Sequence, residues 1–166
     1  SVFLLNLVHL EKGQGIFIKA GIPHAYLKGN IVECMANSDN VVRIGLTPKF
    51  KDAETLVDIL DYEPKPVPIL RGIPDFEQVI YPTPIPEFQV NWWKLGAGRE
   101  KNKATENKPQ VLLITKGEIL IRWDVGSKSA EKAFRQGQSI FIPAFLEKFK
   151  VEAQNPAELF EVQVPL

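Results

Sequence analysis

The 166-residue chain has one cysteine, Cys34, and two histidines, His9 and His24. A single cysteine allows no disulfide within the chain and no Cys-rich zinc site. Such sparing cysteine use fits the reducing cytoplasm, which is the expected location. An excess of charge is also missing: Lys and Arg number 20, Asp and Glu number 20, and the formal net charge is +0. A nucleic-acid binder needs a basic excess gathered on one face, so no nucleic-acid partner is expected. No apolar run is long enough to cross a bilayer, so no membrane is expected either. The opening "SVFLLNLVHL" is apolar but lacks the basic flank and small-residue cleavage pattern of a signal peptide. It also lacks an initiating Met, and a fragment of a longer protein is expected.

Hydrophobic residues make up 45 % of the chain, as in folded globular proteins. The length suits one ordinary domain or two small ones. Most of the sequence reads as short β-runs punctuated by Gly, Asn and Pro, among them "IFIKA", "AYL" and "IVECMA". His9 falls in an alternating run and reads as packing, and Cys34 and Met35 read as buried strand residues. The one helix signal is "DAETLVDILD", with Asp52 as N-cap and Leu56, Ile59 and Leu60 as an apolar stripe. Prolines 64, 66, 68, 74, 82, 84 and 86 then crowd a short span. Proline removes ladder donors, so this span reads as an extended connector rather than sheet. Strands resume at "FQVNWWKL" and run to the C-terminus, with "TKGE" read as a hairpin turn. Trp92 and Trp93 must face opposite ways on a strand, one into the core and the other capping it or at an interface.

Residues 13–27, "GQGIFIKAGIPHAYL", align without a gap to residues 137–151, "GQSIFIPAFLEKFKV", which suggests two copies of one β module. The pattern resembles the second motif of the cupin β jelly rolls: Gly13, Gly21 and His24 hold its turn, glycine and metal-ligand places. Lys19 stands where proline is usual. In the second copy Gly137 and Pro143 match, while Phe145 and Lys148 replace the glycine and the histidine. The first cupin motif fits "GREKNKATENKPQVLLITKG", with Ala104, Glu106 and Gln110 at the ligand places. A methyl group and an ammonium make a poor divalent-metal site, so the second module is expected to be metal-free.

Residues 23–52, "PHAYLKGNIVECMANSDNVVRIGLTPKFKD", resemble the signature region of the type I phosphomannose isomerases (mannose-6-phosphate isomerases). The helix, connector and final β region agree more loosely with the C-terminal part of that family. The resemblance implies an all-β fold of cupin-like jelly rolls, one partial and one C-terminal, joined by a short helix and a Pro-rich connector. Its domains would be the back half of a catalytic jelly roll over 1–50, the helix and connector over 51–86, and a degenerate jelly roll over 87–166. It further implies a zinc-dependent aldose–ketose isomerase that interconverts mannose 6-phosphate and fructose 6-phosphate through a cis-enediol. His24 would be one zinc ligand and Arg43 a catalytic group. Tyr26, Glu33, Asp39 and Lys49 match further positions of the substrate-binding region. The family's other zinc ligands, a Gln, a His and a Glu, come from its N-terminal half and have no counterpart here. The partners expected are a sugar-phosphate substrate and either that N-terminal half or a second chain, without which this chain would be inactive.

These residue types suit the chemistry in their own right. Isomerisation moves a proton between adjacent carbons through an enediolate. A divalent metal polarises the carbonyl, and a guanidinium stabilises the developing charge without titrating. A carboxylate such as Glu33 or Asp39 can carry the proton, and Lys49 can balance a phosphate. The alternative reading is a non-catalytic cupin module that binds a sugar phosphate or a partner protein.

Overall fold

A computed structural model describes residues 5–38, 41–43 and 48–165. The chain divides into two compact units, one ending at Arg71 and the other beginning at Gly72.

In the first unit the regular elements among the described residues are β1 (Gly15–Ile16), α1 (Ala53–Ile59) and β2 (Ile69–Leu70). β1 pairs antiparallel with β2, Gly15 opposite Leu70 and Ile16 opposite Ile69. The runs "AYL" and "IVECMA" carry strand-forming residues, yet the described part forms no ladder. A strand exists only where a neighbour supplies hydrogen-bond partners and a face to bury. Tyr26, Leu27, Ile31, Val32 and Met35 are instead exposed. His9 is exposed outside any strand, and Cys34 is only half-buried. The helix forms where its cap predicts: Asp52 accepts from Thr55 N at 3.0 Å. Its stripe is only shallowly covered, since no α1 residue is buried.

The second unit is a two-sheet sandwich of antiparallel strands. Its strands are β3 (Ile73–Asp75), β4 (Gln78–Tyr81), β5 (Gln89–Leu95), β6 (Glu100–Ala104), β7 (Gln110–Lys116), β8 (Glu118–Val125), β9 (Lys128–Arg135), β10 (Ser139–Ile142), β11 (Lys148–Ala153) and β12 (Ala157–Gln163). One sheet runs β10-β7-β12-β5-β4-β3 and the other β6-β11-β8-β9. Alternation places Leu112 and Ile114 of β7, Ile119 and Ile121 of β8, Phe149 and Val151 of β11, and Leu159 of β12 in one core with Trp93. Trp93 is fully buried, while Trp92 faces the other way and stacks on Phe160 with ring centroids 5.9 Å apart.

In the second unit two features depart from the sequence reading. "TKGE" is not a hairpin: β7 and β8 lie in different sheets, and Gly117 (φ +77°) turns the chain from one to the other. The proline-crowded span also contributes β3 and β4 to the six-stranded sheet. Pro74 is tolerated because β3 is the edge strand and pairs only with β4.

The two copies of the repeat share their local geometry. Gly13 and Gly137 both take left-handed backbone, φ +88° and +85°. Gln14 N donates to Glu11 O at 3.0 Å, and Gln138 N to Arg135 O at 3.1 Å. Each glutamine folds back to accept from the same residue's amide, Glu11 N at 2.9 Å and Arg135 N at 2.8 Å. Further on, Ile22 N donates to Lys19 O at 3.4 Å and Leu146 N to Pro143 O at 3.1 Å, again at matching positions. The same turn and the same exit are built twice.

Candidate functional site

Gly21 comes just before the histidine. Its φ is +81°, and a Cβ there would lie 2.7 Å from Ile59 O. Its carbonyl accepts from Asp61 N at 2.9 Å, so the chain beyond α1 ties down the turn that leads into "IPHAY". Only glycine satisfies both the left-handed backbone and this close approach.

His24 is exposed, and its Nδ1 lies 3.0 Å from Ile22 O. A carbonyl oxygen can only accept, so Nδ1 carries a proton, and in the neutral ring the lone pair is then on Nε2. This is the tautomer of a metal-binding histidine held by a backbone carbonyl. The Tyr26 ring meets the His24 ring edge-on, centroids 5.8 Å apart at 63°. The Tyr26 hydroxyl donates to Glu33 Oε1 at 2.6 Å. Desolvation, and after it the hydrogen bond and charge of Glu33, push the Tyr26 hydroxyl up to about 12. The phenol therefore stays a donor at neutral pH. Burial pushes the Cys34 thiol up, which makes it a poor nucleophile.

His24, Tyr26 and Glu33 thus form one connected group. Arg43 and Lys49 are both exposed. Asp39 lies outside the described residues, as does Asn40. Among the described residues no group of three or more His, Cys, Asp and Glu could hold a metal ion. Zinc takes three or four protein ligands. The described residues do not complete such a set.

In the second unit Lys148, the counterpart of His24, sits directly opposite Ala104 across β11 and β6. Sequence reasoning missed a buried polar group in the same unit. Glu161 is 0 % exposed; its Oε2 accepts from Asn91 Nδ2 at 2.8 Å and Trp93 Nε1 at 3.2 Å. Its Oε1 is 2.8 Å from Lys103 Nζ. The signal was available: in "AELFEVQ" Glu161 takes the same inward slot as Ala157 and Leu159.

No protein-family model matches the chain. It is 40 % identical to the mannose-6-phosphate isomerase of Cryptococcus neoformans, an alignment covering 98 % of this chain and 38 % of that protein. It is 42 % identical to that of Schizosaccharomyces pombe over 74 % of this chain and 32 % of the relative. The matched region is the relatives' C-terminal part. Among solved structures, the apo form of mannose 6-phosphate isomerase from Salmonella typhimurium superposes with a TM-score of 0.64 at 29 % identity, covering 80 % of this chain and 32 % of that one. The chain therefore spans only about a third to two fifths of the length of these proteins.

Proposed function

We propose, from the chain's kinship with the mannose-6-phosphate isomerase family over nearly its whole length, that it supplies one side of an aldose–ketose isomerase site. The substrates are mannose 6-phosphate and fructose 6-phosphate, and the intermediate is a cis-enediol. The observation that carries the proposal is His24, whose Nδ1–H is spent on Ile22 O while Nε2 is left to bind. His24 serves as one ligand of a zinc ion, and the remaining ligands come from outside these 166 residues. The metal would supply Lewis-acid polarisation of the sugar carbonyl.

The roles of the chain's own residues follow from their chemistry. The Tyr26–Glu33 hydrogen bond keeps the phenol neutral and packs it against the His24 imidazole, restraining that ring. Arg43 is a permanent cation that stabilises charge on the enediolate oxygens. Lys49 balances the substrate phosphate. Asp39 belongs to the same signature and is assigned to substrate binding with them. The site is cytoplasmic in this proposal.

A graft tests it. The matching segment of the Cryptococcus neoformans relative is replaced by this chain, and the interconversion of the two hexose phosphates is assayed. The graft is expected to be active, Arg43→Ala to reduce kcat by roughly 10²–10³-fold, and His24→Ala to remove the zinc and the activity together. A folded but inactive graft, or an active His24→Ala graft, overturns the proposal.

A further inference from the structure

The second unit has a small cavity of its own, independent of the isomerase proposal. It holds about 220 Å³ and is lined by Lys103, Thr105, Glu106, Lys108, Gln110 and Gln163, where the β6–β7 turn meets the end of β12. That is smaller than the roughly 300–1,000 Å³ of clefts that take drug-sized ligands, and several times the ~30 Å³ share of one water. Glu106, which lines it, and the next residue, Asn107, take left-handed backbone, φ +54° and +60°.

Gln110 gives the cavity its chemistry. The residue is 3 % exposed, and its Nε2 donates to Ala104 O at 3.0 Å. Its Oε1 is buried and has no hydrogen-bond partner among the described residues. Flipping the amide would set its oxygen against the Ala104 carbonyl, so the orphan group is an acceptor. A buried acceptor of this kind calls for a donor. The walls offer the opposite character. An ammonium has three donors; Lys103 Nζ is ion-paired with Glu161 Oε1, 2.8 Å away, and Lys108 donates one proton to the Pro165 carbonyl. An occupant must therefore donate to Gln110 and accept from lysine. A carboxylate at neutral pH has no proton to give, and a divalent cation would meet two ammoniums against the single carboxylate of Glu106. A hydroxyl group does both.

We propose that this cavity binds a small neutral polyol, no larger than a monosaccharide. One hydroxyl donates to Gln110 Oε1, and neighbouring hydroxyl oxygens accept from Lys103 or Lys108.

The test is a titration of the ¹⁵N-labelled 166-residue chain, followed through its backbone amides, with glycerol, glucose and inorganic phosphate in separate experiments. Glycerol or glucose is expected to shift the amides of residues 104–108, 110 and 163–164. Gln110→Met, close in shape but without the acceptor, should abolish those shifts while the other amides of the second unit stay in place. If Gln110→Met does not fold, Lys108→Met at the rim serves instead and should weaken the apparent affinity several-fold. The proposal is overturned by a response to phosphate but not to polyol, by shifts confined to residues before Arg71, by no shift with either polyol, or by unchanged binding in the variant that folds. The probes carry no phosphate and the reporters lie in the second unit, so failure here leaves the isomerase proposal untouched.

Discussion

Replacing Lys103 with methionine should destabilise the second unit by about 3 kcal/mol. The number follows from what surrounds Glu161. Its carboxylate is fully buried, its Oε1 lies 2.8 Å from Lys103 Nζ, and its Oε2 is satisfied by Asn91 and Trp93. At 2.8 Å the attraction between unit charges is about 6 kcal/mol at an effective dielectric of about 20. Desolvation cancels much of that in the intact pair. Removing one partner strands the other, and breaking a buried pair costs about 3–5 kcal/mol. Lys103 is 19 % exposed, so water can approach the vacated end and the lower figure applies. The Lys103→Met/Glu161→Gln double variant should recover most of the loss, because the Gln amide oxygen can still accept from Asn91 and Trp93. Guanidinium unfolding followed by tryptophan emission reads this out directly, since all three tryptophans, Trp92, Trp93 and Trp123, lie beyond Gly72. The reasoning is refuted if Lys103→Met costs less than about 1 kcal/mol, or if the double variant is no more stable than the single one.

Gly117→Ala should cost more than Gly137→Ala, although both positions have positive φ. A Cβ at Gly117 meets Asn155 Oδ1 and Pro156 O at 2.6 Å, whereas at Gly137 nothing lies within 4 Å. Thermal or chemical unfolding should show about 1–2 kcal/mol for Gly137→Ala from the left-handed backbone alone, and clearly more for Gly117→Ala. Equal losses would contradict the corner geometry. Tyr26 should titrate near pH 12 in the difference absorbance between wild type and Tyr26→Phe, and Glu33→Gln should bring that midpoint down. The folded phenol holds its proton above the usual 10.0, so the stability it lends is complete below pH 10 and is lost as the pH climbs toward 12. A midpoint near 10.0, or one indifferent to Glu33→Gln, would sink the assignment.

What the sequence revealed was mostly local. Asp52 followed by Thr55 is a self-contained cap, and the helix starts there. "GQ" before "IFI" encodes a turn closed by its own glutamine, and both copies show it. Alternation placed Trp92 and Trp93 on opposite faces, as observed. What escaped depended on distant partners. Gly117 looks like any hairpin glycine until β7 and β8 are seen to pair with different strands. Pro74 argues against sheet unless the strand is known to be an edge. The strand-like runs around His24 form no ladder among the described residues, because alternation marks a face and does not supply the neighbour that covers it. At the candidate site, "PHAY" and Glu33 were legible and the structure joins them through one hydrogen bond and one ring contact. The pairing of Glu161 with Lys103 joins residues 58 positions apart, beyond any local pattern.

The central claim is that His24 is one ligand of a zinc site whose other ligands lie outside this chain. Elemental mass spectrometry after dialysis tests it on three samples: the 166-residue chain, the graft in the Cryptococcus neoformans relative, and the His24→Ala graft. The account predicts no stoichiometric zinc on the chain by itself, about one per molecule on the graft, and loss of it with His24→Ala. A full zinc on the isolated chain, or zinc retained by the His24→Ala graft, would contradict it.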